Sequence, residues 1–165
     1  MSPRDADADA TRRPDGDERG AEPADGTEQA EVFTHPECLD DVIRAHLPRL
    51  LALFDGDRPY WFARYRSVRE TDHLRLRICA VGQEEYAEVA RAVGTWGRQL
   101  CDAGAASRLT LATYHPEVGR YGSGPATDAA EAVFAADSHA VALALRLPAP
   151  LAVHPMALAA IGWRT

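Results

Sequence analysis

The chain has 165 residues, 46% of them hydrophobic and 26% charged, a composition that fits a globular domain and excludes a fibrous or membrane-spanning chain. Its formal charge of −7 is uneven: residues 1–31 hold six Asp and four Glu against four Arg, whereas residues 32–165 hold fifteen acids and fourteen Arg. All 18 basic residues are Arg, which excludes Lys chemistry, and the near-neutral body excludes general binding to a nucleic-acid backbone. Residues 1–31 contain no aromatic residue and no Val, Ile or Leu, so they cannot bury enough apolar surface to offset chain entropy. A disordered acidic tail is predicted there, and one domain over 32–165.

Thr34 and Glu37 have the spacing of a capping box, and Leu39, Val42, Ile43, Leu47, Leu50, Leu51 and Phe54 continue at helical spacing, with Pro48 expected to kink or split the helix. Residues 60–67 are aromatic-rich and read as a strand. Residues 72–80 alternate, with Leu74, Leu76, Ile78 and Ala80 on one face and His73, Arg75, Arg77 and Cys79 on the other. The short link between these strands predicts an antiparallel hairpin. Residues 83–101 read as a helix and 108–114 as a third strand. The loop 115–124 leads to a long helix from Pro125 to about Leu145, and Pro155 is expected to open another. The fold class is α+β: a mainly antiparallel sheet with helices packed on one face.

Three places carry chemistry. Arg75 and Arg77 project from one strand face about 6.5–7 Å apart, a spacing that suits two bidentate contacts to a carboxylate or phosphate. Arg64 and Arg66 repeat the pattern next door, so one face is expected to carry four arginines; the alternative is a solvated face laced with salt bridges. The loop Thr113-Tyr-His-Pro-Glu-Val-Gly-Arg-Tyr-Gly122 gathers Tyr114, His115, Glu117, Arg120 and Tyr121, and reads equally well as a plain connector. Asp137 falls on the apolar stripe Ala130, Val133, Phe134, Val141 and Leu145, where a buried carboxylate needs an Arg partner; the alternative is that the stripe drifts and Asp137 lies at its wet edge. Cys79 beside Arg77 is either a thiol with a lowered pKa or a small buried residue.

Cys38, Cys79 and Cys101 form no CxxC pair, which excludes a zinc ribbon or disulfide framework and fits a reduced cytoplasm. The six histidines have no metal-ligand spacing. Neither a metal nor a cofactor is expected. No apolar run approaches the ~20 residues of a membrane helix, and the acidic N-terminus is not a secretory signal.

Tyr60-Trp-Phe-Ala-Arg-Tyr-Arg66, Asp72-His-Leu-Arg-Leu-Arg77, the 113–122 loop and Ala130-Glu-Ala-Val-Phe-Ala-Ala-Asp-Ser138 occur in that order. Over roughly residues 58–145 this series resembles the C-terminal domain of lantibiotic dehydratases, which also occurs as a separate protein in thiopeptide-type bacteriocin biosynthesis. In that family the full dehydratase glutamylates Ser or Thr of a precursor peptide from glutamyl-tRNA, and the C-terminal domain eliminates glutamate to leave a dehydroamino acid. The resemblance implies a lyase in antibiotic biosynthesis, with Arg75, Arg77 and Arg120 as catalytic cations. From their places on the same strand face, loop and helix, Arg64, Arg66, His73, Tyr114, His115, Tyr121 and Asp137 are expected as substrate contacts. The implied partners are the precursor peptide and a glutamylating dehydratase subunit, with no nucleic acid and no membrane. Two other functions are compatible: the (4+2) cycloaddition that forms a thiopeptide pyridine, and a non-catalytic module that docks a leader peptide or the dehydratase. The family loop reads Glu-Arg-Tyr-Gly-Gly where this chain has Gly119-Arg-Tyr-Gly-Ser123. The family domain also runs on to a His near an Asn-Arg pair. Truncation at the C-terminus is therefore expected, with apolar surface left for a partner chain or self-association.

Overall fold

A computed structural model of the chain describes residues 25–66 and 72–148. In chain order the elements are strand β1 (Asp25–Phe33), a 3₁₀ turn (Pro36–Cys38), helix α1 (Leu39–Asp41), a π turn (Val42–His46), helix α2 (Leu47–Leu51), and strands β2 (Tyr60–Tyr65) and β3 (His73–Val81). Helix α3 (Gly82–Asp102), strand β4 (Arg108–Thr113), the short helix α4 (Val118–Tyr121) and helix α5 (Pro125–Ala144) follow. The four strands form one sheet in the order β2-β3-β1-β4, each neighbouring pair antiparallel. Up to β4 this is a βαββαβ chain with its first strand in the middle of the sheet, the split βαβ arrangement of ferredoxin-like folds.

One sheet face carries the core. Ala30, Val32, Leu74, Leu76, Ile78 and Ala80 meet Val42, Ile43, Leu47 and Leu50 from α1 to α2, and Val89, Val93, Trp96 and Leu100 from α3, all buried. The alternation expected over 72–80 holds residue by residue. The expected interruption at Pro48 is present: α1 gives way to the π turn, and Pro48 lies in the first turn of α2. The chain widens into the π turn just before it, and a turn bonded i to i+5 absorbs a residue that has no N–H to give. Thr34 caps nothing; its hydroxyl donates to the Ala105 carbonyl at 2.7 Å, tying the end of β1 to the loop after α3.

The tail boundary expected at residue 31 moves. Residues 25–31 belong to β1, which pairs with both β3 and β4 at the centre of the sheet. The buried apolar residues of β1 are Ala30, Val32 and Phe33, so residues 25–31 hold only Ala30, too little to outweigh their acidic composition when read alone. Residues 1–24 and the helix expected from Pro155 lie outside the described residues, as does the link between β2 and β3. No described helix is long and apolar enough to cross a membrane.

Glu28 continues the core face of β1 and is 2% exposed, with Oε2 lacking any partner. Burial raises its pKa, and a hydrogen bond from Tyr86 offsets part of the rise. The folded chain therefore holds this proton more tightly than the unfolded one. The stabilisation linked to it is full below the unfolded value of about 4.5 and is lost as pH rises through the higher folded value. Glu28→Gln is expected to flatten that slope and to raise stability at pH 7 by about 1 kcal/mol, measured by urea unfolding at pH 4.5 and 7. An unchanged slope would show that Glu28 is not its source.

Helix α3 lies so close to β4 that a Cβ built on Gly97 would stand 2.9 Å from Leu109 Cβ, whereas one on Gly94 meets nothing within 4 Å. Gly97→Ala should destabilise by about 1–3 kcal/mol through overpacking, and Gly94→Ala should stabilise by up to about 1 kcal/mol through helix propensity. Paired thermal melts check the two signs.

Candidate functional site

The other sheet face is built in cross-strand rows. In the first, Tyr65, His73, Phe33 and Arg108 lie opposite one another. His73 is fully buried between the rings of Tyr65 and Phe33, at centroid distances of 4.9 and 4.8 Å, and Arg108 covers Phe33. The second row is Ala63, Arg75, Glu31 and Thr110, and the third is Trp61, Arg77, Gln29 and Ala112.

The register separates the two strand arginines. Arg75 Nε lies 3.2 Å from the Glu31 carboxylate and from His73 Nε2, and its guanidinium covers the Tyr65 ring at 3.9 Å. Its charge is matched by an anion. Arg77 Nε instead donates to the neutral amide oxygen of Gln29 at 2.9 Å, and its guanidinium lies 5.0 Å from the Tyr114 ring centre. Among the described residues Arg77 forms no ion pair. Burial pulls its pKa below the ordinary value, with Tyr114 opposing and Arg75 reinforcing, yet a guanidinium stays charged at any physiological pH.

Above Arg77 is a cavity of about 240 Å³ whose walls include Trp61, Tyr121 and Phe134, with Glu117, Arg120, Asp137 and Ser138 also lining it. Trp61 is 2% exposed, and its indole N–H is buried without a partner. Tyr121 stands edge-on to Phe134, and Trp61 edge-on to Tyr114. Helix α4 presents Arg120, 3.6 Å from Glu117 and mostly exposed. Gly122 and Gly124, with φ of 86° and 61°, then turn the chain sharply into α5. Tyr114 donates to Glu131 at 2.6 Å; burial first and this bond second hold its phenol far above the ordinary value, so it remains a donor.

Helix α5 is fastened to the outer edge of β2. The Phe62 N–H donates to Ser138 Oγ at 2.9 Å, and the same hydroxyl donates to the Phe62 carbonyl at 3.4 Å. One side chain thereby engages both edge-facing backbone groups of that residue. The buried positions of α5 are Thr127, Ser138 and Ala142, while Val133 is 66% exposed. The apolar stripe drifts, and Asp137 sits exposed at its edge and at the rim of the cavity, with no Arg partner among the described residues.

Several expected site residues stand elsewhere. Arg64 lies opposite Leu74, so it leaves on the core side of the sheet and pairs with Asp40 of α1. Arg66 is exposed and pairs with Asp72 at 3.1 Å. The four-arginine face does not form, because the pairing of Ala63 with Arg75 puts the odd-numbered residues of β2 on the arginine side. His115 is exposed and does not line the cavity above Arg77. Cys79 shares the face of Arg77, but burial pushes its thiol pKa up. Sequence reasoning missed Gln29, Glu31 and Trp61; the alternation of Gln29, Glu31 and Phe33 with Ala30 and Val32 was the available signal. Among the described residues no group of three or more His, Cys, Asp or Glu could hold a metal ion.

Comparison with known proteins agrees with this fold. The chain is similar to the tRNA-dependent lantibiotic dehydratase MibB from Microbispora sp. 107891, whose crystal structure it matches with a TM-score of 0.63 at 23% identity. The match covers 84% of this chain and 13% of that one, so the chain spans about an eighth of the length of the solved dehydratase. No curated protein matches the sequence. Residues 29–163 match the family described as lantibiotic biosynthesis dehydratase C-term. With that match running over most of its length, the chain belongs to the family of lantibiotic dehydratase C-terminal domains.

Proposed function

We propose that this domain eliminates glutamate from glutamylated Ser or Thr side chains of a ribosomal precursor peptide, leaving dehydroalanine or dehydrobutyrine. The observation that carries the reading is Arg77. It is a cation held by a neutral amide at the floor of an aromatic-walled cavity, with Arg120 at the rim. In the elimination a base removes the α-proton of the modified residue. The electron pair forms the Cα–Cβ double bond, the Cβ–O bond breaks, and glutamate departs as a carboxylate. Negative charge develops at the carbonyl oxygen of the modified residue and then on the leaving group. A guanidinium fixed by an amide and not by a paired carboxylate stabilises that charge at little reorganisation cost. Arg75, already matched by Glu31, positions the face on which Arg77 stands.

We assign the preceding glutamylation to a dehydratase partner. The test is incubation of the chain with a peptide carrying O-glutamyl serine, with and without that partner, followed by mass spectrometry. Dehydrated peptide and free glutamate in equal amounts support the proposal. Tight leader binding without elimination under either condition favours a docking module, and a reaction confined to already dehydrated peptide favours the cycloaddition.

A further inference from the structure

The charges around the cavity do not cancel in pairs. Arg120 is matched by Glu117 at 3.6 Å. That leaves two lining residues that form no close ion pair among the described residues: the Arg77 cation, which Glu117 and Glu131 influence only from a distance, and the Asp137 anion. The two share one cavity of about 240 Å³, on the order of eight water volumes. Trp61, Tyr121 and Phe134 lie in the same walls, and their rings offer an apolar surface. Such a site matches a small zwitterion with a short apolar body, and it matches neither a simple anion nor a simple cation.

A glutamyl group transferred from an aminoacyl ester is that kind of ligand. It is joined through its α-carboxyl, so it keeps a free α-ammonium and a free γ-carboxylate. We infer that Asp137 is a specificity-determining residue that takes the α-ammonium of the glutamyl group, beside the α-carboxyl whose departing charge Arg77 receives. The inference rests on the function proposed above and adds the subsite that selects an amino acid over a plain diacid. Asp137 is free to do this because it is exposed and carries no ion pair to break. Its neighbour Ser138 fixes the helix at that point by gripping Phe62. The carboxylate therefore projects from a fastened turn and not from a loose end.

The probe is a peptide with diaminopropionate in place of the modified serine, acylated either with glutamate through its α-carboxyl or with glutarate, which lacks only the amine. The amide does not eliminate, so binding to the full 165-residue chain is read by calorimetry independently of turnover. The glutamyl peptide should bind about three- to tenfold more tightly than the glutaryl peptide, as expected for one partly exposed charge pair. Asp137→Asn should lower the glutamyl affinity to that of the glutaryl peptide and leave glutaryl binding within about twofold. A circular-dichroism melt confirms that the variant is folded. Equal affinities in the unsubstituted chain, no binding of either peptide, or an equal loss for both in Asp137→Asn would each overturn the assignment. If the binding preference holds while the O-glutamyl ester is not eliminated, the subsite stands and the proposed elimination fails.

Discussion

Arg77→Ala is expected, on the proposed elimination, to lower turnover of an O-glutamyl peptide by about 10²–10³-fold, the loss typical of removing one fixed donor from a developing anion. The expectation follows from the partner of Arg77 more than from its charge. A guanidinium held by a carboxylate offers a ligand only what remains after that pairing, which is the condition of Arg75 beside Glu31. Gln29 fixes Arg77 Nε without neutralising it. Arg77→Lys should recover only part of the rate, because an ammonium keeps the charge and loses the planar fork that Gln29 and a carboxylate can share. Single-turnover rates on glutamylated peptide, read with a melt to confirm folding, decide the matter. A folded Arg77→Ala variant with turnover within twofold of the parent would remove Arg77 from the mechanism.

Trp61→Ala is expected to cost about 3–5 kcal/mol of folding stability, a large part of the total for a domain of this size. The side chain is 2% exposed, lies opposite Arg77 across the β2–β3 pairing, and meets Tyr114 edge-on at 5.7 Å. Trp61→Phe should cost much less. It gives up ring volume but no hydrogen bond, since the indole N–H has no partner. Denaturant titration of the two variants separates packing from hydrogen bonding. A Phe variant as unstable as the Ala variant would mean that the indole N–H is engaged after all.

The sequence made β3 readable because its two faces differ in every residue from Leu74 to Ala80, and the same contrast placed Arg75 and Arg77 together on the polar side. It hid β1 because a strand at the centre of a sheet needs few apolar side chains of its own when long neighbours cover it. Ala30 is flanked by Leu76 and Leu111, and Val32 by Leu74 and Leu109. Arg64 was misplaced because alternation fixes which residues of one strand share a face but not how that face aligns with the next strand. A slip of one residue reverses every side chain. Asp137 stayed ambiguous for a similar reason: Ala-rich α5 has few large residues to fix which stripe is buried, and the contact of Ser138 with a strand edge settled the rotation. The resemblance to the dehydratase family was legible from ordered motifs, although Gln29, which sets the state of Arg77, lies outside all of them.

The position of β1 also decides when the site exists during folding. Gln29 and Arg77 are 48 positions apart in the chain, and β4, whose final residues lead into Tyr114, pairs with no described strand other than β1. The rows that hold Arg75 and Arg77 are thus closed by contacts distant along the chain, the kind that form late and slowly. A hairpin of β2 and β3 already carries both arginines, but it lacks Gln29 and Glu31 to tell them apart. Until the N-terminal strand slots between β3 and β4, neither guanidinium has the carboxylate or the amide that sets its charge apart from the other. The strand that looked like the end of a tail is the one whose arrival gives each of them its separate partner.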